Sequence, residues 1–166
     1  MNCCPTEIIT DDSQRVEIDE NSVARCQDCK VPSRPVSRST VLLMLKPYLL
    51  EQAMTGTYSF CSMPDCPVVY FDEQGTQRFT IDDLRVTVGV KARVDPIPLC
   101  YCFGFDESHI RDEISRTGGT TIPSRIGALI REGLCACESR NPAGVCCLGE
   151  VNRAAKRFAN KVSSRD

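Results

Sequence analysis

The chain has 166 residues, of which 12 are cysteine and only 6% are aromatic. A chain of this length forms one ordinary domain or two small ones, and its few aromatic residues leave modest hydrophobic cores that metal ions or disulfides must reinforce. The formal net charge of -2 disfavours nucleic acid as a partner, because phosphate binding relies on an excess of Lys and Arg.

The N-terminal residues favour a reduced compartment. Residues 1–20 are rich in acidic side chains and contain no apolar stretch that resembles a signal peptide. No segment of the chain approaches the apolar length of a membrane span, so we expect no direct membrane insertion. We therefore predict a cytoplasmic protein, in which clustered cysteines bind metals or perform redox chemistry rather than form a disulfide framework.

The pattern of the chain predicts two modules. Residues 1–24 are polar, and we expect a flexible N-terminal segment there. Residues 91–99 contain two prolines and have little periodicity, as is typical of a linker. Residues 25–90 then form one module, and residues 100–166 form another. We predict the α+β class, with a small α+β module followed by a small helical domain.

Helix and strand signals alternate in the first module. Residues 39–50 are apolar enough for a short helix, which Pro47 should break or kink. Residues 57–60 and 68–71 have the β-branched and aromatic composition of strands. The alternation of residues 85–90 predicts a further strand.

Two cysteine pairs in the first module have the spacing of a zinc site. Two cysteines at positions i and i+3 can bind one ion from a tight turn, and two such pairs complete a closed, structural tetrahedral shell. The predicted zinc ligands are Cys26, Cys29, Cys61 and Cys66. The alternatives are a thiol redox pair and unliganded core cysteines. Asp28 and Asp65 are either substitutes for a thiolate or, more ordinarily, solvated loop carboxylates.

Helical spacing predominates in the second module. Asp106 predicts the N-cap of a first helix, which ends at Gly118. Pro123 in a first turn and Gly133 at the end bound a second helix. A third helix follows Cys147, where apolar residues recur at three- and four-residue steps. The cysteines of this module therefore fall before, between and after the helices.

Six cysteines in three close pairs point to an iron-sulfur site in the second module. A 2Fe-2S cluster needs four thiolates around two irons, and close pairs let one turn provide two ligands. The pairs are Cys100 with Cys102, Cys135 with Cys137, and Cys146 with Cys147. A Rieske-type cluster needs two His ligands. It is excluded because the chain has only His109, which we expect to be exposed in a first helical turn.

These six thiols compete for four cluster positions. Cys147 directly precedes the last helix, whose N-terminal dipole stabilises a thiolate, so we favour Cys147 over Cys146. We also favour Cys137 over Cys135. Cys135 and Cys146 stay open as alternates, because neighbouring cysteines can exchange roles after a small loop change.

Longer motifs carry a resemblance to a known family. They are Phe60-Cys61, Asp65-Cys66, Val68-Val69-Tyr70-Phe71, Cys100-Tyr101-Cys102-Phe103-Gly104, Cys135-Ala136-Cys137-Glu138 and the run from Asn141 to Val151. Over about residues 24–160 the chain resembles the N-terminal region of the CopZ-type copper chaperones. Its second half is similar to bacterioferritin-associated ferredoxin.

The resemblance implies one zinc ion and one 2Fe-2S cluster, with Cys100 and Cys102 among the cluster ligands. It also implies that the oxidation state of the cluster is coupled to copper reduction. The family's copper-carrying domain, with its Met-x-Cys-x-x-Cys loop, has no counterpart in these 166 residues, so we do not expect simple copper transport. Cu(I) and mercury are both soft and prefer thiolates, and the sequence does not choose between them.

We predict one-electron transfer, of a Cu(II)-reductase type rather than hydrolysis, coupled to the handling of copper or another soft metal. The expected partner is a redox protein or a metal-transport protein. The alternative is a non-redox sensor or adaptor in metal resistance, and a zinc-finger nucleic-acid binder is disfavoured by the charge. Cys3 and Cys4 are candidates for soft-metal capture or, equally, two free surface thiols.

Overall fold

The structure confirms the α+β class. The computed structural model describes residues 23–163, with a four-stranded antiparallel sheet followed by a mainly helical region. The strands are β1 (Arg34–Val36), β2 (Tyr58–Phe60), β3 (Val68–Asp72), β4 (Arg78–Thr80), β5 (Pro98–Cys100) and β6 (Phe105–Asp106). The α-helices are α1 (Arg38–Met44), α2 (Glu107–Thr117), α3 (Ile122–Arg131), α4 (Cys137–Arg140) and α5 (Leu148–Ser163). Over residues 23–163, no helix is both long and apolar enough to span a bilayer.

The sheet module comprises β1 to β4, α1 and their connections. Its strands have the order β1-β2-β3-β4, and all neighbours are antiparallel. The predicted strands over residues 57–60 and 68–71 are confirmed as β2 and β3, whose residues are all buried. Edge strand β1 contains Pro35, which lacks a backbone N–H donor and is tolerated at an edge. The core consists of Val36, Val41, Met44, Leu45, Ala53, Tyr58, Phe60, Val69, Tyr70, Phe79, Leu84 and Val88.

The predicted helix over residues 39–50 breaks where proline requires it. Helix α1 begins after Ser37, whose hydroxyl accepts a hydrogen bond from the Thr40 N–H. The chain becomes extended at Leu45 and Lys46, and Pro47 then begins a 3-10 helix. The residue before a proline is restricted to extended conformations, so the α-helix cannot continue through this point.

The predicted strand over residues 85–90 is wrong. Its last residues enter a 3-10 turn at Gly89–Lys91. The Arg85 N–H donates to the Met44 carbonyl beside the isolated bridge of Leu84 with Leu45, and residues 85–90 join no strand of the described sheets. The Gly89 N–H donates to the Tyr101 hydroxyl oxygen (2.9 Å), and that hydroxyl donates to the Thr87 carbonyl (2.9 Å). The alternation of valines is strand-like, but the tertiary contacts outweigh this weak local preference.

The helical module comprises β5, β6 and α2 to α5. Helix α2 begins at the predicted cap, where the Asp106 side chain accepts from the His109 N–H (3.1 Å), and it ends at Gly118, which has a positive φ of 76°. Pro123 lies in the first turn of α3, as predicted. The short helix α4 was not expected from the sequence. The module's core consists of Ile110, Ile114, Ile122, Ile126, Val151, Ala154, Cys100, Cys137 and Cys147.

The two modules contact each other through the loop after α4. The buried Tyr70 hydroxyl donates to the Pro142 carbonyl (2.7 Å). Ala143 packs against the core of the sheet module. A Cβ on Gly144 would lie 3.1 Å from the Val36 side chain, and Gly144 has a positive φ of 67°. This loop therefore fits closely against the sheet and orients the chain that leads to the last cysteine pair.

We expect Tyr70→Phe to lower the free energy of unfolding by about 1–3 kcal/mol, because the buried Pro142 carbonyl loses its donor. Urea denaturation of metal-loaded protein measures the change. Tyr48→Phe is the matched control, since Tyr48 is 71% exposed, and its effect should stay within about 0.5 kcal/mol. Equal effects of the two substitutions would contradict the role of this hydrogen bond.

Candidate metal centres

The first cysteine pair lies in a tight turn. The Lys30 N–H donates to the Cys26 carbonyl (2.8 Å), and the Cys26 N–H donates to the Val31 carbonyl (3.1 Å). Lys30 has a φ of 62°, a left-handed conformation that tightens the turn. Cys26 and Cys29 stand at positions i and i+3 of this turn, so both thiols can reach one ion.

The second pair belongs to the connection between β2 and β3, which we call the zinc loop (residues 61–66). Cys61 directly follows β2, and its N–H donates to the Val69 carbonyl (2.9 Å). The Cys66 N–H donates to the Met63 carbonyl (3.3 Å), which curls the loop back toward β3. The antiparallel pairing of β2 with β3 therefore fixes how far apart these two cysteines lie.

The four thiols converge on one point. The Sγ atoms of Cys26 and Cys66 are 3.8 Å apart, and those of Cys29 and Cys61 are 3.6 Å apart. All four Sγ atoms lie within 4.8 Å of one another. A tetrahedral zinc ion with bonds of about 2.3 Å places its thiolates about 3.8 Å apart. The arrangement is that of a closed Cys4 metal site.

Burial and hydrogen bonding change the pKa values of these thiols in opposite directions. Burial raises the pKa of Cys61 and of Cys66, because a buried negative charge loses its hydration. Burial also acts upward on the pKa of Cys29, but hydrogen bonds from the Val31 backbone and from the neighbouring thiols bring it below its usual value. A metal ion binds the deprotonated forms, so its binding at this site releases protons.

The two carboxylates of the cysteine motifs pair with arginines. Asp28 lies 3.2 Å from the Arg78 guanidinium, and Asp65 lies 2.5 Å from that of Arg93. Both ion pairs are at the surface, and neither carboxylate joins the thiol group. We therefore assign neither aspartate as a ligand.

Lys91 is a buried lysine beside this site that the sequence analysis did not identify. It is 7% exposed, and its Nζ donates to the carbonyls of Met63 (2.8 Å) and Cys66 (2.9 Å) in the zinc loop. Its positive charge favours the Cys61 thiolate. Four thiolates around a divalent ion carry a net charge of about -2, which a nearby ammonium stabilises. No sequence signal identifies it, because lysines are usually solvated.

The second candidate centre lies in the helical module. Cys100 ends β5, Cys102 follows in a turn, Cys137 begins α4 and Cys147 directly precedes α5. The Cys147 thiol interacts with the thiols of both Cys100 and Cys137. The Cys137 sulfur lies 3.6 Å from that of Cys102. The four sulfurs thus form a contact chain from Cys100 through Cys147 and Cys137 to Cys102, an arrangement suited to two irons side by side.

Backbone N–H groups donate hydrogen bonds to the sulfurs of this contact chain. The Ala136 N–H donates to the Cys102 sulfur (3.3 Å). The Cys147 N–H donates to the Cys137 sulfur. The N–H groups of Cys102 and Phe103 donate to the Cys100 sulfur. Hydrogen bonds to cysteine sulfur tune the reduction potential of an iron-sulfur cluster.

The same contacts separate the acidities of the four thiols. Donation from the Cys147 thiol lowers the pKa of Cys100 to about 7 and that of Cys137 to about 5. As the donor to both, Cys147 has a raised pKa. Burial raises the pKa of Cys102 to about 12. Two of the four sulfurs therefore favour the thiolate that iron binds.

The two remaining cysteines of the helical module, Cys135 and Cys146, are partly exposed and lie near the contact chain. The Cys146 thiol hydrogen-bonds the Cys137 sulfur. Cys135 packs against the same hydrophobic core as the buried cysteines. The structure therefore places all six thiols in one region, with Cys135 and Cys146 at its edge.

The other residues singled out in the sequence lie elsewhere. The His109 side chain is 51% exposed and completes the N-cap of α2 with Asp106, so it is a surface residue of a first helical turn as expected. Cys3 and Cys4 lie outside the described residues.

A short bridge connects the two centres. At one end, Lys91 donates to the zinc loop. At the other, the Gly89 N–H donates to Tyr101, which stands between Cys100 and Cys102 in the chain. A Cβ on Gly89 would lie 1.9 Å from the Pro98 carbonyl oxygen, so only glycine fits here. One 3-10 turn therefore contacts the surroundings of both thiol groups.

Replacing one zinc ligand should empty the Cys4 site. In Cys66→Ser the ion loses one of four thiolates, and we expect less than about one zinc per chain together with rapid proteolysis within residues 23–85, because ion binding stabilises this small module. Metal analysis and limited proteolysis of the full chain measure both. Ser62→Ala, in the same exposed loop, is the matched control and should retain zinc. A Cys66→Ser protein with full zinc content would contradict the assignment.

Removing the buried Lys91 ammonium should speed the release of zinc, although all four thiolate ligands remain. We expect Lys91→Met to bind zinc but to release it to a chelator about tenfold faster, because the loop carbonyls lose their donor and the charged site its counter-ion. Zinc transfer to a coloured chelator measures the rate. Lys156→Met, at an exposed position of α5, should leave it unchanged. Identical release rates would show that Lys91 has no electrostatic role.

Three comparisons with known proteins agree with this geometry. The CopZ zinc-binding family model, described as a zinc binding domain, matches residues 23–85. The copper chaperone CopZ of Archaeoglobus fulgidus is 32% identical over 148 residues, which cover 83% of this chain and 70% of that protein. The X-ray structure of the N-terminal domain of the same chaperone aligns with a TM-score of 0.64 at 31% identity, covering 78% of this chain and 95% of that one.

The matched residues include both cysteine pairs of the Cys4 site, and the structural alignment extends well beyond them into the helical module. Sequence identity, structural similarity and the position of the thiols therefore lead to the same assignment. The chain belongs to the CopZ family of copper chaperones and contains its zinc-binding domain.

Proposed function

We propose that this protein binds one zinc ion and one 2Fe-2S cluster and transfers single electrons in the handling of copper or another soft metal. The observation that carries the proposal is the contact chain of Cys100, Cys147, Cys137 and Cys102. These residues are the cluster ligands of the proposal. The copper chaperone to which the chain is similar supports copper as the metal.

The residues of the contact chain fit a 2Fe-2S cluster by their chemistry. Four sulfurs are present, three of them buried, and backbone N–H groups donate to three of them. A bound 2Fe-2S cluster supplies a store for one electron. The apolar side chains of α2, α3 and α5 exclude water around the sulfurs, which affects the reduction potential.

Two thiols beside the contact chain support soft-metal handling. Cys135 and Cys146 are partly exposed, and the Cys146 thiol interacts with that of Cys137 in the contact chain. Cu(II) prefers nitrogen and oxygen ligands, whereas Cu(I) prefers thiolates. A copper ion that gains an electron here therefore has a suitable ligand within reach, and Cys146 is the residue that we assign to it.

In this proposal residues 25–90 form the structural zinc module, residues 91–99 the linker and residues 100–166 the electron-transfer domain. The zinc has a closed thiolate shell and no substrate position. A redox protein delivers the electron, and a metal-transport protein accepts the copper. We place this function in the cytoplasm, where cysteines remain reduced.

Cluster assembly tests the ligand assignment. Protein prepared without oxygen should contain about two irons and two sulfides per chain and absorb visible light through thiolate-to-iron charge transfer. Substituting Ser at any of the four proposed ligands should abolish the absorbance, whereas Cys135→Ser and Cys146→Ser should keep it. If Cys146→Ser loses the cluster while Cys147→Ser keeps it, the assignment within the last pair is reversed.

Reoxidation by copper tests the function. Dithionite-reduced protein, freed of excess reductant, should lose its reduced-cluster EPR signal when one equivalent of Cu(II) is added, and the Cu(II) signal should vanish as Cu(I) forms. The Cu(I) should stay bound in the parent protein and be removed more readily by a Cu(I) chelator from Cys146→Ser. Reduced protein that keeps its EPR signal in excess Cu(II) would instead support the sensor or adaptor alternative.

A further inference from the structure

A cavity of about 700 Å³ lies between the sheet module and the helical module. Its volume is within the range of small-molecule sites, which are usually preformed clefts between structural units. Its walls come from β1, from the linker and from the faces of α2 and α5, with Cys146 and Val145 at the end nearest the second thiol group.

The lining of the cavity is rich in positive charge, although the chain as a whole is slightly acidic. Six cationic and three acidic side chains line it, a surplus of three positive charges, of which Asp65 outside the lining offsets one by pairing with Arg93. The cationic residues are Arg34, Arg93, Arg111, Arg153, Arg157 and Lys161. A cleft with a surplus of one sign of charge concentrates ligands of the opposite sign.

Four of these five arginines form ion pairs that still leave donors for a ligand. Arg93 pairs with Asp65, and Arg157 pairs with Glu107. Arg111 pairs with Asp95 (2.8 Å), and Arg153 pairs with Glu150. These arginine side chains are 43% and 67% exposed, so the pairs are solvated and contribute at most about 1 kcal/mol each. Each guanidinium has five N–H donors in a planar fork that matches a carboxylate. A ligand with several carboxylates can therefore engage several of them at once.

The aromatic ring of Phe158 keeps part of this charge in place. The guanidinium of Arg157 lies 5.1 Å from the ring centre and that of Arg111 lies 6.0 Å from it, while the Lys161 ammonium lies 5.7 Å from it. Cations are attracted to the face of an aromatic ring at such distances. The positive groups at this wall are thus held near one another rather than dispersed into solvent.

Cys146 connects the cavity to the second thiol group. It lines the cavity, directly precedes Cys147 in the chain, and its thiol interacts with that of Cys137. A molecule in the cavity is therefore one side chain away from the proposed cluster ligands. Cys135 does not line this cavity, which distinguishes the two extra cysteines of the helical module.

We propose that this cavity binds Cu(II) as an anionic polycarboxylate chelate and that Cys146 receives the copper after reduction. This inference rests on the proposed function and names its substrate class. Oxygen ligands suit Cu(II), and the chelate carries the negative charge that the arginines recognise. A reduced 2Fe-2S cluster held by Cys100, Cys102, Cys137 and Cys147 would supply one electron to Cu(II), giving Cu(I) and the oxidised cluster. Bonds from copper to carboxylate oxygen break, a bond to the Cys146 sulfur forms, and the thiol proton passes to solvent.

Binding of copper-free citrate to the intact, metal-loaded protein tests the site without any redox step. We expect titration calorimetry to detect one citrate per chain. The double variant Arg34→Gln, Lys161→Gln removes one cation from each side of the cavity and should weaken binding about tenfold. Lys156→Gln, which changes the same charge on α5 outside the cavity, should leave the affinity unchanged within about twofold. Equal weakening by Lys156→Gln would overturn the proposal.

Stopped-flow reoxidation of the reduced protein tests the substrate class. With Cu(II)-citrate the rate should saturate with concentration, fall when free citrate is added and decrease in the double variant. With the cationic Cu(II)-ethylenediamine complex the rate should show neither saturation nor inhibition by citrate. Equal, citrate-insensitive rates with both complexes would overturn the site while leaving the electron-transfer function intact. Specific citrate binding without reoxidation by either complex would refute that function instead, and with it the reduction step proposed here.

Discussion

The convergence of four cysteine sulfurs on one metal position is the constraint on which the sheet module depends. The cysteines come from two separate segments, a tight turn and the loop between β2 and β3. Around them lies only a small satellite core, in which Val68 and Phe71 are the largest buried residues. A metal ion replaces the cohesion that so small a core cannot provide, since its binding free energy adds directly to that of folding.

Contacts between the modules extend this constraint to the second thiol group. Tyr70 in the central strand β3 donates to Pro142, and Tyr101 bonds the turn that carries Lys91. The segment from Cys137 to Cys147 therefore rests on the sheet at one place, and the segment from Cys100 to Cys102 is tied to it at another. Cluster ligands are sensitive to shifts of this kind, because hydrogen bonds to sulfur set the reduction potential. The sheet module thus supports the second thiol group at two places.

The sequence was sufficient where local chemistry determines the outcome. Spacing identified the Cys4 group, Pro47 predicted the end of α1, and Asp106 predicted the cap of α2. The sequence was insufficient where contacts with residues distant in the chain determine the local structure. The valines of residues 85–90 alternate as in a strand, yet the Tyr101 hydroxyl bonds the backbone of Thr87 and Gly89, which lie between them. The edge strand β1 has only three residues, one of them proline, which masks its pairing with β2.

Net charge illustrates the same limit in electrostatic terms. A value of -2 for the whole chain argues against phosphate polymers as partners, but it is a sum that conceals how the charges are arranged. Folding brings arginines from β1, the linker, α2 and α5 to one cavity, although some of them are more than a hundred residues apart in the chain. Carboxylates pair with most of them, so the wall is stable without a ligand, and we propose that its remaining surplus favours an anion. Charge of this kind selects small anions that fit the cavity rather than extended polyanions, which need a continuous exposed surface.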